Sequence, residues 1–374
     1  MMRLFIQNGV PANAWGESDR WLVHLSVALR ERGHTVYCAG REGSRFLEKV
    51  DQAGIPVFPL RMGSDVSIIS AVKLARMFKD LQIDVVLTHL TRDVRLAGMA
   101  RQLSRVAVLM AYHGIPLLKD NWRYRFTYRE LADGIITSAR AVEREYRKIR
   151  WMNGYPVKVI PPGVPPTAGR KNHSPQLREK LGIPDRRPVI GIFGQLVRYK
   201  QHLIFLEVAR NILQEWPEAI FLIVGDGPLR TEIQKYAFDL NILDHLYMLG
   251  NHTEDLPEIY GLCDLVLLTS EIEGVPCSLL EAMVAERAVI AFDVGGVGEL
   301  IEPEETGILV PLNDIYLMTQ RTLELLLAPE ERERLGRAAR RAVEKNFSFE
   351  RAVNQFENYL QEVLLEKDGG KHGT

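Results

Sequence analysis

The chain has 374 residues, of which 46% are hydrophobic and 25% charged, and its formal net charge is −1. A single hydrophobic core rarely serves a chain of this length, so we expect two domains. The composition is typical of a soluble globular protein, and the lack of a run of about 18 apolar residues argues against a membrane span.

The N-terminus and the cysteines favour a cytoplasmic protein. Residues 2–6 are strand-like and do not follow the pattern of a signal peptide. Cys38, Cys263 and Cys277 have no metal-ligand spacing and indicate no disulfide framework, so we expect a reducing environment.

The first 160 residues alternate short apolar runs with amphipathic stretches. The predicted helices are 16–32, 68–81 and 139–149, and Gly33-His34 is typical of a helix C-cap. The predicted strands are 3–7, 35–39, 56–59, 85–88, 106–111, 134–137 and 157–160. This alternation indicates an α/β domain with a parallel sheet covered on both faces.

Residues 161–175 contain five prolines and two glycines, which is typical of a linker. A second series of strands follows at 189–193, 220–224, 265–268 and 288–292, and helix-like segments run from 314 to about 366. We expect two doubly wound domains, 1–165 and 166–347, that face each other across a ligand-binding cleft. The helix at about 348–366 is expected to pack back on the first domain, and residues 369–374 to be frayed.

The net charge conceals an asymmetry between the two halves. Residues 1–160 contain 25 Lys and Arg against 15 Asp and Glu, a balance of +10, and the remainder contains 22 against 33, a balance of −11. The basic half is suited to an anionic partner, such as a lipid surface or a phosphorylated acceptor, although uneven scatter of charge is the alternative.

Two carboxylates, Glu273 and Glu281, flank the most informative segment. Gly274 relaxes the backbone, and Pro276 suits the first position of a helix that follows the strand 265–268. Glu273 would then lie on the loop and Glu281 one to two turns into the helix, with backbone N–H groups between them. This arrangement suits a nucleotide-sugar better than a metal.

Two further loops follow predicted strands of the second half. Gly194 would let a ligand approach the backbone, and Arg198 and Lys200 could neutralise a diphosphate, unless they are solvated loop cations. Gly225 opens a similar loop, which by itself could serve only to start the next helix.

The first half of the chain contains three candidate functional features. Gly16 follows the first strand and His113 ends another, so both are expected at the cleft-facing edge of the sheet. Residues 122–129 interleave Trp122, Arg123, Arg125 and Arg129 with further aromatic side chains. Such a segment suits an acceptor or a membrane surface, with packing inside the protein as the alternative, and no nucleic-acid recognition motif accompanies it.

Taken together, these residues resemble the retaining glycosyltransferases of family 4, which have the GT-B fold. The resemblance is strongest over residues 189–310 and is most specific at the E-x7-E pair, Glu273 and Glu281. It implies that Glu281 binds ribose hydroxyls and that Glu273 binds the transferred sugar. Lys200 would bind the diphosphate, and His113 would contact the sugar near the reacting carbon.

The resemblance also implies supporting roles for the loops. Backbone N–H groups around Val275–Cys277, in the segment that we call the donor loop, would support the sugar or the phosphates, and Gly16 would let the first domain approach the diphosphate. The residues assigned to the donor site are Gly16, Gly194, Arg198, Lys200, Gly225, Glu273, Gly274, Val275, Pro276, Cys277, Leu280 and Glu281.

One departure from the family pattern concerns the diphosphate. Gln195 stands where the family usually has Arg, so one cation is missing from its usual position, and Arg198 is a candidate to replace it. A weakened or non-catalytic relative therefore remains an alternative.

The predicted activity is transfer of a sugar from a nucleotide-diphosphate sugar to an acceptor hydroxyl with retention, in polysaccharide, lipopolysaccharide or glycolipid biosynthesis. UDP is preferred on family frequency, and the acceptor is expected to be a saccharide or a lipid-linked molecule at the cytoplasmic face of a membrane. No cofactor and no metal are required on this interpretation. The alternatives are a nucleotide-sugar 2-epimerase and a sugar-nucleotide-binding protein without turnover, whereas a phosphorylase would need a much longer chain.

Overall fold

A computed structural model describes residues 1–11, 15–60, 67–104, 106–164, 175–184, 187–251 and 256–369. The chain divides into two compact units. Unit 1 comprises Met1–Pro161 and Arg351–Thr374, and unit 2 comprises Pro162–Glu350. Residues 165–174 of the predicted linker and 370–374 of the predicted frayed end lie outside the described residues.

Unit 1 is built on a seven-stranded sheet whose neighbouring strands are all parallel, in the order β3-β2-β1-β4-β5-β6-β7. The strands are β1 (Arg3–Asn8), β2 (Thr35–Arg41), β3 (Val57–Leu60), β4 (Val85–Thr88), β5 (Val108–His113), β6 (Gly134–Thr137) and β7 (Val157–Val159). The helices are α1 (Glu17–Glu31), α2 (Arg45–Gln52), α3 (Ile68–Asp80), α4 (Thr91–Gln102), α5 (Trp122–Leu131) and α6 (Arg140–Arg147).

Unit 2 has a six-stranded parallel sheet in the order β10-β9-β8-β11-β12-β13. Its strands are β8 (Val189–Phe193), β9 (Ile220–Val224), β10 (Leu246–Gly250), β11 (Leu265–Leu268), β12 (Ala288–Phe292) and β13 (Ile308–Val310). Its helices are α7 (Pro175–Lys180), α8 (His202–Glu215), α9 (Arg230–Asp239), α10 (Leu256–Leu262), α11 (Cys277–Val284), α12 (Val297–Leu300), α13 (Ile315–Leu327) and α14 (Pro329–Asn346). The last helix, α15 (Phe349–Gly369), contains the boundary between the units at Glu350.

Both sheets have the doubly wound strand order, so the predicted α/β fold with two Rossmann-like sheets is confirmed. The central strands β8, β9, β11 and β12 are fully buried, as expected for parallel strands covered on both faces. The predicted C-cap is also confirmed. Gly33 has φ +87°, and the Gly33 and His34 amides donate to the carbonyls of Arg30 and Leu29 at 2.9 and 3.1 Å.

The sequence did not reveal two strands of unit 2. All five residues of β10 are half-buried and the strand ends in Gly250, and β13 has only three residues, so neither produces a long apolar run.

The segment 122–131 is helical, although aromatic and basic residues alternate along it with a period of two, which is not the pattern of an amphipathic helix. Asn121 caps α5 by accepting from the amides of Arg123 and Tyr124, and the helix buries Thr127, Tyr128 and Leu131. No helix among the described residues is long and apolar enough to cross a membrane.

Candidate functional site

The candidate donor residues of unit 2 follow the carboxyl ends of three strands, β8, β9 and β11. In the strand order, β8 lies between β9 and β11, so the direction of winding reverses between β8 and β11. Ligands of doubly wound sheets bind outside the carboxyl ends of the strands at such a point. The loops at Gly194, Gly225, Glu273 and Gly295 all begin there.

These four loops meet in two pairs, each through a glycine. A Cβ atom on Gly225, whose φ is +146°, would lie 1.8 Å from the carbonyl oxygen of Gly194. A Cβ atom on Gly295 would lie 1.9 Å from the carbonyl oxygen of Glu273. The backbones of neighbouring loops are therefore in direct contact at both positions, and only glycine permits this approach.

Lys200 and Glu273 form a buried ion pair. The Lys200 Nζ atom lies 2.7 Å from Glu273 Oε1, and the two side chains are 8% and 5% exposed. The Thr269 hydroxyl, just beyond β11, donates to the carbonyl of Lys200 at 3.1 Å, and the Glu271 amide donates to the carbonyl of Tyr199 at 2.8 Å. The loops after β8 and β11 are thus fixed to each other by backbone and side-chain contacts.

Glu281 lies in the second turn of α11 and is half-buried. Its Oε2 atom is 3.0 Å from the hydroxyl of Tyr260, whose ring stacks on Phe193 at the end of β8, with the ring centroids 3.9 Å apart. Tyr260 therefore positions Glu281, and it came from a helix that carried no functional signal in the sequence.

The donor loop enters α11 as expected, with one shift. Pro276 is the N-cap residue with φ −75° and ψ 121°, so the helix begins at Cys277 and not at the proline. Gly274, Val275, Pro276 and Leu280 are buried, whereas Cys277 is half-buried. Because proline has no side-chain acceptor, Pro276 does not cap the helix through its side chain.

Arg198 and His202 flank Lys200. Arg198 is exposed, in a 3₁₀ turn that runs from Arg198 to Lys200. His202 opens α8, is 2% exposed, and among the described residues has no hydrogen-bond partner on either ring nitrogen. Burial, followed by the charge of Lys200, lowers the pKa of His202 to about 3. His202 is thus a neutral imidazole beside the ion pair, and nothing in its sequence context singles it out.

His113 belongs to unit 1, at the end of β5, and is fully buried. Its Nδ1 atom lies 2.7 Å from the hydroxyl of Tyr146, and its Nε2 atom lies 3.0 Å from the hydroxyl of Tyr128. Burial lowers the pKa of His113 to about 3. Both ring nitrogens are occupied by tyrosines, so this geometry favours a structural role over the predicted contact with a sugar.

Gly16 also belongs to unit 1 and is the N-cap residue of α1. Its amide donates to Asp19 Oδ2 at 2.7 Å, so it satisfies the capping carboxylate of its own helix. The preceding residues 12–14 lie outside the described part of the chain.

The predicted surface residues lie on α5. Trp122, Arg123 and Arg125 are exposed, and the Arg123 guanidinium lies 5.6 Å from the centre of the Trp122 ring. Arg129 donates from Nε and from a terminal nitrogen to the carbonyl of Trp151, at 2.9 and 2.6 Å.

Across the described residues, no group of three His, Cys, Asp or Glu side chains could hold a metal ion.

Both halves of the chain match family models. Residues 18–168 match "Glycosyltransferase Family 4", and residues 173–342 match "Glycosyl transferases group 1".

Individual proteins are also similar to this chain. It is 31% identical to alpha-D-kanosaminyltransferase of Streptomyces kanamyceticus over 51% of its own length and 49% of that protein. It is 29% identical to UDP-Gal:alpha-D-GlcNAc-diphosphoundecaprenol alpha-1,3-galactosyltransferase of Escherichia coli, over 66% and 67% of the two chains. The chain thus spans about half the length of the first relative and two thirds of the second.

The fold is similar to that of HepE from Anabaena, which was crystallised with UDP-glucose. The TM-score is 0.84 at 18% sequence identity, and the match covers 97% of this chain and 100% of HepE. At this level of identity the likeness concerns the fold alone.

Proposed function

Because this chain belongs to family 4 of the glycosyltransferases, we propose that it transfers a sugar from a nucleotide-diphosphate sugar to an acceptor hydroxyl, with retention at the anomeric carbon. The observation that carries the proposal is the buried Lys200–Glu273 pair at the carboxyl edge of the unit 2 sheet. A cation and a carboxylate held at this edge suit a ligand that contains both phosphates and sugar hydroxyls.

Each donor residue has a role that fits its position. Glu281, held by Tyr260 in the second turn of α11, would accept hydrogen bonds from the ribose hydroxyls. Glu273 would accept from hydroxyls of the transferred sugar. The glycines at 194 and 225 would let phosphates approach the backbone.

Lys200 would stabilise the departing diphosphate. In the ligand-free protein its charge is balanced by Glu273, and an ammonium group has three donors, so it can bind a phosphate oxygen while it keeps the carboxylate. Exposed Arg198 would supply a second cation, since Gln195 cannot. Positioning of the reactants and stabilisation of the charge on the leaving group would account for most of the rate enhancement.

The donor and the acceptor are proposed from the relatives. HepE was crystallised with UDP-glucose, and the name of the E. coli relative contains UDP-Gal and an acceptor linked to diphosphoundecaprenol. We therefore favour a UDP-sugar as donor and a saccharide or lipid-linked acceptor at the cytoplasmic face of a membrane, without a required metal or cofactor.

A thermal-shift screen of UDP-, GDP- and ADP-sugars tests donor binding. One nucleotide class should raise the melting temperature, because a ligand that binds only the folded state stabilises it. Glu281→Ala should abolish this rise, whereas Glu305→Ala, which removes an exposed carboxylate elsewhere in unit 2, should keep it. A rise that survives Glu281→Ala would contradict the proposed ribose contact.

A second candidate is a sugar-nucleotide-binding protein without turnover. Gln195 in place of a cation and the occupied nitrogens of His113 both favour it. Incubation of the bound donor with acceptor extracts separates the two functions, because only an active transferase releases the nucleoside diphosphate and a glycosylated product.

A further inference from the structure

The helices of unit 1 segregate charge between the two faces of its sheet. The helices α3, α4 and α5 contain nine Lys and Arg against three Asp and Glu. The helices α1 and α2 contain four against five. The excess of positive charge in the first half of the chain is therefore concentrated in one helix layer. This concentration argues against the alternative that the charges are merely scattered unevenly along the sequence.

Neighbouring residues of β5 show that the two groups of helices cover opposite faces. Tyr112 stacks on Trp21 of α1, with ring centroids 4.9 Å apart, whereas His113 contacts Tyr128 of α5. Successive strand residues point to opposite faces of a sheet, so α1 and α5 lie on opposite sides. Because α3 packs on α4 and α4 packs on α5, these three helices form one layer.

The same layer exposes large apolar side chains. Ile68 and Ile69 at the start of α3 are 70% and 72% exposed, and Trp122 and Phe126 of α5 are 73% and 54% exposed. Along the chain, α3 follows β3 and α5 follows β5, so both helices begin at the carboxyl edge of the sheet. Ile68, Ile69 and Trp122, at the starts of these helices, therefore lie at the same edge. Exposed cations accompany them along α3, at Lys73, Arg76 and Lys79.

An open pocket of 690 Å³ lies beside α5, lined by Asp120, Asn121, Trp122, Arg125, Arg129, Arg150 and Trp151. Arg129 is fixed by its bonds to the carbonyl of Trp151. Within the described part of the chain, the guanidinium groups of Arg125 and Arg150 have no hydrogen-bond or ion-pair partner. Three guanidinium groups against the single carboxylate of Asp120 give a pocket suited to a phosphate group.

We propose that the α3–α5 layer of unit 1 docks on an anionic phospholipid bilayer, with Ile68, Ile69, Trp122 and Phe126 in the headgroup region and the surrounding Lys and Arg on lipid phosphates. Apolar insertion and basic attraction are each weak alone, and together they hold a protein at a bilayer. The bilayer contact stands without the proposed glycosyl transfer, and only its link to a lipid-borne acceptor rests on that function.

Two other occupants fit the surface less well. A nucleic acid would use the cations and stack on Trp122, but it has no use for the two exposed isoleucines. A second copy of the chain, placed by a two-fold axis, would bring two positively charged layers together, which is unfavourable.

Sedimentation with vesicles tests the proposal on the full-length protein. The protein should bind vesicles of phosphatidylcholine with phosphatidylglycerol, and binding should fall with salt and be absent with phosphatidylcholine alone. Ile68→Ser with Ile69→Ser, and separately Lys73→Glu with Arg76→Glu, should each weaken binding by about tenfold or more. Matched controls are Phe238→Ser, which removes an exposed phenylalanine of unit 2, and Arg45→Glu with Lys49→Glu, which makes the same charge change on α2.

Equal binding to neutral and anionic vesicles would overturn the proposal, as would equal losses in the α3 variants and their controls. Binding that a soluble polyanion such as heparin competes away equally from the wild type and the isoleucine variant would identify a polyanion surface and not a bilayer contact. If an α3 variant does not fold, brominated phosphatidylglycerol provides a second test. It should quench the fluorescence of the wild type, and Trp122→Phe should remove that quenching.

The donor-induced thermal shift, measured without vesicles, distinguishes this inference from the proposed function. A protein that keeps the shift but does not bind vesicles refutes the bilayer contact alone. A protein that binds vesicles but shows no shift refutes the donor site alone.

Discussion

The Lys200–Glu273 pair is the residue-scale feature on which the proposed donor binding depends. The residues are 73 positions apart in sequence and 2.7 Å apart in space, and both are buried. Such a pair is costly to desolvate, so its presence is weak evidence for a stabilising role. Its position beyond the carboxyl ends of β8 and β11 fits a role in ligand binding.

Breaking the pair from one side should be costly. Lys200→Met removes the ammonium group that lies 2.7 Å from the buried Glu273 carboxylate, so we expect a loss of about 3 kcal/mol in the free energy of unfolding, measured by urea denaturation. The double variant Lys200→Met with Glu273→Leu should regain much of that stability and still show no donor-induced thermal shift. Retention of the shift by the double variant would show that the pair is structural only.

His202 should make unit 2 sensitive to acid. Its pKa falls from 6.5 to about 3 on folding, so its neutral form is preferred in the folded state. The contribution of His202 to stability is therefore complete above pH 6.5 and is lost as the pH falls toward 3. Between pH 7.5 and 4.5 the wild type should lose about 3 kcal/mol more than His202→Leu, as followed by denaturation at each pH. Parallel pH profiles of the two proteins would contradict this assignment.

At the scale of elements, the parts that sequence predicted well are those with strong local signals. The strands β8, β9, β11 and β12 are continuous apolar runs, and their observed bounds agree with the prediction. The strand β10 is half-buried throughout and therefore has no apolar run by which to predict it. The sequence of α5 alternates with a period of two, and the tertiary packing of Tyr128 and Leu131 overrides that local pattern.

The residues of the candidate site stand out in the sequence, but their contacts do not. Glu273 and Glu281 stand out by their spacing, whereas the contact of Tyr260 with Glu281 depends on how α10 packs near α11. The two tyrosines that hydrogen-bond to the ring nitrogens of His113 come from α5 and α6, 15 and 33 residues further along the chain. Local sequence cannot indicate such distant partners.

The glycine contacts between loops yield a prediction at this scale. Gly225→Ala places a methyl group 1.8 Å from the carbonyl oxygen of Gly194, so the loop must move, and donor affinity should fall by about tenfold or more. Gly182→Ala is the matched control, since Gly182 has φ +67° and no atom within 4 Å of the added Cβ. It should cost about 1 kcal/mol of stability through backbone strain and leave donor affinity unchanged, as measured by calorimetric titration. Equal affinities for the two variants would rule out a role for the Gly194–Gly225 approach.

At the scale of the whole molecule, the chain leaves unit 1 at Pro161 and returns to it at Arg351. The returning helix α15 contributes to the core of unit 1. Phe356 is fully buried against Trp21 and Tyr112, and Glu357 lies 2.7 Å from Arg32 and 2.9 Å from His34. The core of unit 1 is therefore complete only when α15 is in place.

Removal of the Phe356 ring should destabilise unit 1 and reduce protection in segments that are distant in sequence. Phe356→Ala should cost about 3–5 kcal/mol, as is usual for a large aromatic residue removed from a core. Hydrogen exchange followed by mass spectrometry should show lost protection in α1 and β5, which contact the ring, and Phe238→Ala should show none because Phe238 is 69% exposed. Unchanged protection of α1 and β5 would contradict the packing of α15 in unit 1.

The close approach of Gly225 to Gly194, and of Gly295 to Glu273, has a consequence for protein engineering. If one loop alone were replaced by that of a homologue, its backbone would no longer fit against the unchanged neighbouring loop. Chimeras intended to change sugar preference should therefore exchange the loops after β8 and β9 together, and those after β11 and β12 together. Crossover points placed within α8 or α11 would separate partners that fit only each other.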